Sequence, residues 1–123
     1  MSSQKSGKNM ILILDDDLEF MTVVKDTLKK LGIEVLGSTD PIEAIGICRT
    51  KNVTKVITDF DMPAMDGIEF LENIKEINPN IKRIILTGIV GDEKNLNKAK
   101  IENLIDVIAY KPIDRKGLID LLA

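Results

Sequence analysis

Met10-Ile11-Leu12-Ile13-Leu14-Asp15-Asp16 is an apolar run closed by two carboxylates, and it decides the fold because the chain returns to the same design three more times. Val56-Ile57-Thr58 runs into Asp59, Ile84-Ile85-Leu86 into Thr87, and Val107 to Tyr110 into Lys111-Pro112. Short apolar runs rich in β-branched residues read as strands buried on both faces. Strands are expected at residues 10–14, 33–36, 55–58, 81–86 and 107–110. Helical patterns alternate with them at about 18–31, 41–50, 67–77, 92–103 and 114–122. Leu18, Met21, Val24, Leu28 and Leu31 form the apolar face of the first helix. Asp17 suits its N-cap, Gly32 ends it, Pro41 opens the second helix and Asn78-Pro79 stops the third. The fourth helix is polar and is expected to pack weakly. This alternation predicts one α/β domain, a (βα)5 doubly wound five-stranded parallel sheet covered on both faces. Right-handed crossovers leave few topologies, and the common five-strand order is 2-1-3-4-5.

Composition narrows the function. The 123 residues suit one domain, 10–123, preceded by a small, polar tail over 1–9 that is expected to be disordered. The net charge of −3 and the lack of a basic stripe argue against direct nucleic-acid binding. With no histidine, the chain has no imidazole general base, imidazole metal ligand or phosphohistidine of its own. The single cysteine, Cys48, cannot close an intramolecular disulfide and reads as a small buried apolar residue. No apolar run approaches membrane-spanning length and no signal-peptide core is present, so a cytoplasmic protein away from the membrane is expected.

In an open parallel sheet, ligands bind beyond the carboxyl ends of the strands. In the order 2-1-3-4-5, strands 1 and 3 are neighbours, so Asp15, Asp16 and Asp59 would face one another. Thr87 and Lys111 would stand on the next two strands. Carboxylates so close repel, and a hard divalent cation relieves the repulsion. Oxygen-only ligands suit Mg²⁺, with Mn²⁺ as a substitute, and Mg²⁺ takes one or two carboxylates together with phosphate oxygens. The Lys111 ammonium and the Thr87 hydroxyl would then face a phosphoryl group.

The segments Ile11-Leu12-Ile13-Leu14-Asp15-Asp16-Asp17, Val56 to Gly67 (VITDFDMPAMDG), Ile84-Ile85-Leu86-Thr87-Gly88 and Tyr110-Lys111-Pro112-Ile113 together resemble a response-regulator receiver domain of two-component signalling. The resemblance spans essentially the whole domain and implies a flavodoxin-like receiver fold. It implies that Asp59 is the phosphoacceptor, that Asp16 binds the metal directly and Asp15 through water, and that the backbone carbonyl of Asp61 completes the metal site. Thr87 and Lys111 match the hydroxyl and lysine that contact the phosphoryl group, and Lys111-Pro112 is expected to be cis. One position departs from the family. Many receivers carry Tyr or Phe three residues before the lysine, where this chain has Ile108, and Tyr110 is expected to point away from Ile108.

The resemblance implies a signalling phosphoacceptor, not an enzyme with its own substrate, although it phosphorylates and dephosphorylates itself with Mg²⁺. Its partners would be a sensor histidine kinase or phosphotransfer protein and an output domain or effector, with a phosphorylation-dependent dimer left open. The abrupt end after a short fifth helix suggests a domain cut from a longer protein. Two other readings compete. Asp59-Phe60-Asp61 imitates the nucleophile–acid pair of a haloacid-dehalogenase-type phosphatase, but that motif belongs on the first strand. A pseudo-receiver, which binds partners without taking phosphate, usually lacks one of the five residues kept here.

Overall fold

The computed structural model describes residues 10–60, 62, 65–88 and 93–122. The expected tail, Asp61, and the stretch 89–92 lie outside the described residues. The elements are β1 (Met10–Leu14), α1 (Leu18–Lys30), β2 (Glu34–Ser38), α2 (Pro41–Thr50), β3 (Lys55–Thr58), α3 (Gly67–Ile77), β4 (Lys82–Thr87), α4 (Glu93–Ile101), β5 (Val107–Tyr110) and α5 (Arg115–Leu121). All strand pairs are parallel, in the order β2-β1-β3-β4-β5.

Strand alternation sorts the core into two layers. Leu12, Leu14, Val56 and Ile85 face Ala44, Ile45 and Cys48 of α2, Phe70, Leu71 and Ile74 of α3, and Leu96 and Ala99 of α4. Ile11, Ile13, Ile57, Ile84 and Leu86 face Met21, Val24 and Leu28 of α1 and Leu118 and Leu121 of α5. Each Val, Leu, Ile, Met or Phe side chain among them contributes about 1.5–3 kcal/mol when fully buried.

Aspartates start four of the helices. Asp17, Asp40, Asp66 and Asp114 accept backbone N–H bonds from Phe20, Ile42, Glu69 and Gly117 at 3.0, 3.0, 2.8 and 2.7 Å. Gly32, at φ 78°, turns the chain out of α1 as only glycine does without strain.

The structure corrects several boundaries. β2 begins at Glu34 and extends to Ser38, because Gly37 and Ser38 pair with Ile13 and Leu14. β4 takes in Thr87, whose partner is Tyr110. Leu18 and Leu31 are exposed and leave the apolar face of α1 to Met21, Val24 and Leu28. At about 100° per residue, Leu18 stands on the edge of that arc, and Leu31 is the C-cap, outside the helix. Helix α4 is polar overall but not detached, since Leu96 and Ala99, one turn apart, are buried in the core.

Candidate functional site

The sheet ladders continue past the strand ends and place the polar residues there. The Asp15 N–H donates to the Ser38 carbonyl at 3.2 Å and the Asp59 N–H to the Leu14 carbonyl at 3.1 Å. On the other side, the Lys111 N–H donates to the Thr87 carbonyl at 2.8 Å. Backbone hydrogen bonding thus aligns β1, β3, β4 and β5 with their candidate site residues at one end of the sheet. The Lys111-Pro112 bond is cis.

Asp15, Asp16 and Asp59 offer carboxylate oxygens that all lie within 4.8 Å of one another. Two oxygens on opposite sides of a Mg²⁺ ion stand about 4.2 Å apart, from bond lengths of about 2.1 Å. The cluster therefore fits such an ion with small side-chain movement, or with one carboxylate acting through water. The donors are all oxygen, and Asp16 is exposed while Asp15 is buried.

Lys111 supplies positive charge from β5. Its Nζ donates to Asp15 Oδ2 at 2.9 Å and lies 3.9 Å from Asp59 Oδ2. The other Asp15 oxygen accepts the Asp17 N–H at 2.9 Å, so both its oxygens are engaged. This matters because Asp15 is 2% exposed, and a buried polar group without hydrogen-bond partners is costly. Thr87 is fully buried at the end of β4.

Three features of the site were not foreseen in the sequence. Buried Thr58 donates its hydroxyl to the Asp59 carbonyl at 2.9 Å. Gly67, the first residue of α3, donates its N–H to the Phe60 carbonyl at 2.8 Å and packs against the Asp59 backbone. Phe20 of α1 places its ring under the Lys111 ammonium, 4.5 Å from centroid to Nζ. The Asp-Gly pair before a helix hinted at the second, whereas no local pattern links Phe20 to Lys111.

Ile108 is half-buried against the α2–α4 core layer, and Tyr110 is 46% exposed. The expectation that Tyr110 turns away from Ile108 fails. The two are separated by one residue on β5, and the two-residue period of a strand puts them on the same side.

Known proteins share this fold. The response regulator receiver domain family matches residues 11–123. A response regulator receiver protein of Anaeromyxobacter sp. is 31% identical over 110 residues, covering 89% of this chain and 45% of the relative. The cyclic di-GMP phosphodiesterase response regulator RpfG of Xanthomonas campestris is 32% identical over 112 residues, covering 88% and 29%. A CheY-like receiver domain from Methanospirillum hungatei superposes with a TM-score of 0.86 at 25% identity, covering 94% of this chain and 91% of that one. The chain thus spans less than half the length of these two curated relatives. Among the described residues, no helix is long and apolar enough to cross a membrane.

Proposed function

The chain belongs to the response regulator receiver domain family of two-component signalling, and from that premise we propose that it accepts a phosphoryl group on Asp59. The observation that carries this reading is the convergence of Asp15, Asp59 and Lys111 at the carboxyl end of the sheet, at 2.9 and 3.9 Å from the ammonium. A carboxylate oxygen of Asp59 attacks the phosphorus of a donor phosphohistidine. The P–N bond breaks, its electron pair returns to the donor imidazole, and an acyl phosphate forms on Asp59. Asp15, Asp16 and Asp59 would hold Mg²⁺, directly or through water, with the Asp61 carbonyl completing the set. The ion supplies charge neutralisation at the phosphoryl oxygens. Lys111 adds a second positive charge there, and Thr87 adds a hydroxyl donor. The chemistry is positioning and electrostatic stabilisation more than covalent assistance by the protein.

The donor in this reading is a sensor histidine kinase or a phosphotransfer protein, and the recipient of the signal is an output domain or effector in the cytoplasm. Ile108, in place of an aromatic residue, requires that an aliphatic side chain answer any movement of Thr87. Intact mass after incubation with acetyl phosphate and Mg²⁺ tests the proposal. Wild type should gain one phosphoryl group, and neither Asp59→Asn nor EDTA-treated protein should. An unlabelled wild type overturns the reading in favour of a pseudo-receiver.

A further inference from the structure

We propose that Phe20 is a positioning residue for Lys111, holding the ammonium over the acidic cluster through the face of its ring. The inference rests on the phosphoacceptor reading of Asp59 and extends it to a residue that makes no contact with the phosphoryl chemistry itself.

Lysine carries a compact, strongly hydrated charge on a flexible four-carbon stem. Left alone, such a side chain at a strand end extends into water. Lys111 does not, because among the described residues its ammonium has three neighbours: Asp15 at 2.9 Å, Asp59 at 3.9 Å and the Phe20 ring at 4.5 Å. The ring's negative face attracts a cation at that distance. A metal ion would draw on the same acidic cluster, so the carboxylates would be shared between the ion and the lysine. Phe20 is the neighbour that metal binding does not compete for.

The ring is itself well anchored. Its backbone N–H donates to the N-cap Asp17 at 3.0 Å, and its side chain packs against the α1–α5 core layer. It also lines a groove of about 420 Å³ between α1 and α5, with Val24, Ile113 and Leu118.

Phe20→Leu keeps apolar bulk and removes the π face. Two effects of opposite sign are expected. The rate of Asp59 phosphorylation by acetyl phosphate at saturating Mg²⁺ should fall about two- to fivefold, the factor that a partly exposed cation–π contact supplies. Mg²⁺ should bind the variant about as many times more tightly, because a loosened Lys111 competes less for Asp15 and Asp59. Phe20→Tyr should restore both values. A metal-free measurement needs no variant: the ring current should displace the Lys111 ε-methylene signals of the wild type upfield from those of the other lysines.

The proposal is overturned if those signals are undisplaced in the wild type. It is also overturned if Phe20→Leu leaves both rate and Mg²⁺ affinity unchanged, or lowers both together with the melting temperature, as an ordinary core residue would. A wild type that takes no phosphoryl group refutes the phosphoacceptor reading instead, and the methylene signals and Mg²⁺ titration still decide the role of Phe20.

Discussion

Gly67→Ala and Gly46→Ala make the same chemical change in two helices, and the structure predicts opposite outcomes. Helix propensity alone favours alanine at both positions, by about 0.5–1 kcal/mol. At Gly46, in α2, a Cβ would meet nothing within 4 Å, so that gain should be realised. At Gly67 a Cβ would stand 2.7 Å from the Asp59 carbonyl oxygen and 3.0 Å from the Phe60 Cα. The first distance is about 0.7 Å inside ordinary contact, and both obstacles are backbone, which cannot rotate aside. Overpacking of this kind costs about 1–3 kcal/mol. The cost exceeds the propensity gain, leaving Gly67→Ala destabilised by about 0.5–2 kcal/mol. For a domain of this size, at about 4 °C per kcal/mol, that is a fall of roughly 2–8 °C in Tm, against a rise of roughly 2–4 °C for Gly46→Ala. Thermal unfolding of the metal-free protein followed by circular dichroism reads both. The obstructed atom belongs to the proposed phosphoacceptor, so the phosphorylation rate of Gly67→Ala should also fall, by roughly three- to tenfold for a displacement of half an ångström. Gly46→Ala should keep the wild-type rate. A Gly67→Ala protein that melts above wild type would refute the reasoning, because it would mean that the Asp59–Phe60 turn yields freely.

Further outcomes are expected elsewhere. Buried Arg83 donates to the carbonyls of Pro79, Ile81, Asn103 and Leu104, tying the entry to β4 to the end of α4; Arg83→Met should lose about 2–4 kcal/mol by urea unfolding, since buried carbonyls left without donors are costly, and Arg83→Lys should recover little of it because an ammonium lacks the planar fork. Asp16→Asn removes an exposed carboxylate from a cluster whose three residues bring carboxylate oxygens within 4.8 Å of one another, and should raise the Tm of the metal-free protein while weakening Mg²⁺ binding; a lower Tm would show that the cluster is not crowded. Burial pushes the Cys48 thiol up to about 11, so a thiol reagent at pH 8 should label it only after unfolding; prompt labelling of the folded protein would contradict its place in the core.

Local signals carried much of this reading. The apolar runs of β1, β3 and β5 begin and end where the sequence alone places them, because hydrophobic period and punctuation act over a few residues. Pro41, Gly32 and the Asp17 cap behave as their backbone chemistry requires. The boundaries that moved are those set by a partner. Ser38 reads as a polar loop residue until β1 pairs with it, and Thr87 belongs to β4 because Tyr110 lies opposite.

The sequence by itself determined that there are five strands and five helices, that the sheet is parallel, and that Asp15, Asp16, Asp59, Thr87 and Lys111 stand at strand ends. These follow from local periodicity and from the few topologies that right-handed crossovers permit. Only the tertiary structure decided which of these groups touch. The Lys111 ammonium bonds Asp15, 96 positions away, more closely than Asp59 on the nearer strand, and shares its charge with the ring of Phe20. Likewise, Gly67 is a helix start by sequence and a close contact of the Asp59 carbonyl only in space. The physical reason is one of scale. Side-chain contacts at a sheet end are decided over a few ångströms by the lateral spacing of strands, about 4.8 Å, and by the reach and rotamer of each side chain. Neither leaves a mark in the order of residues along one strand.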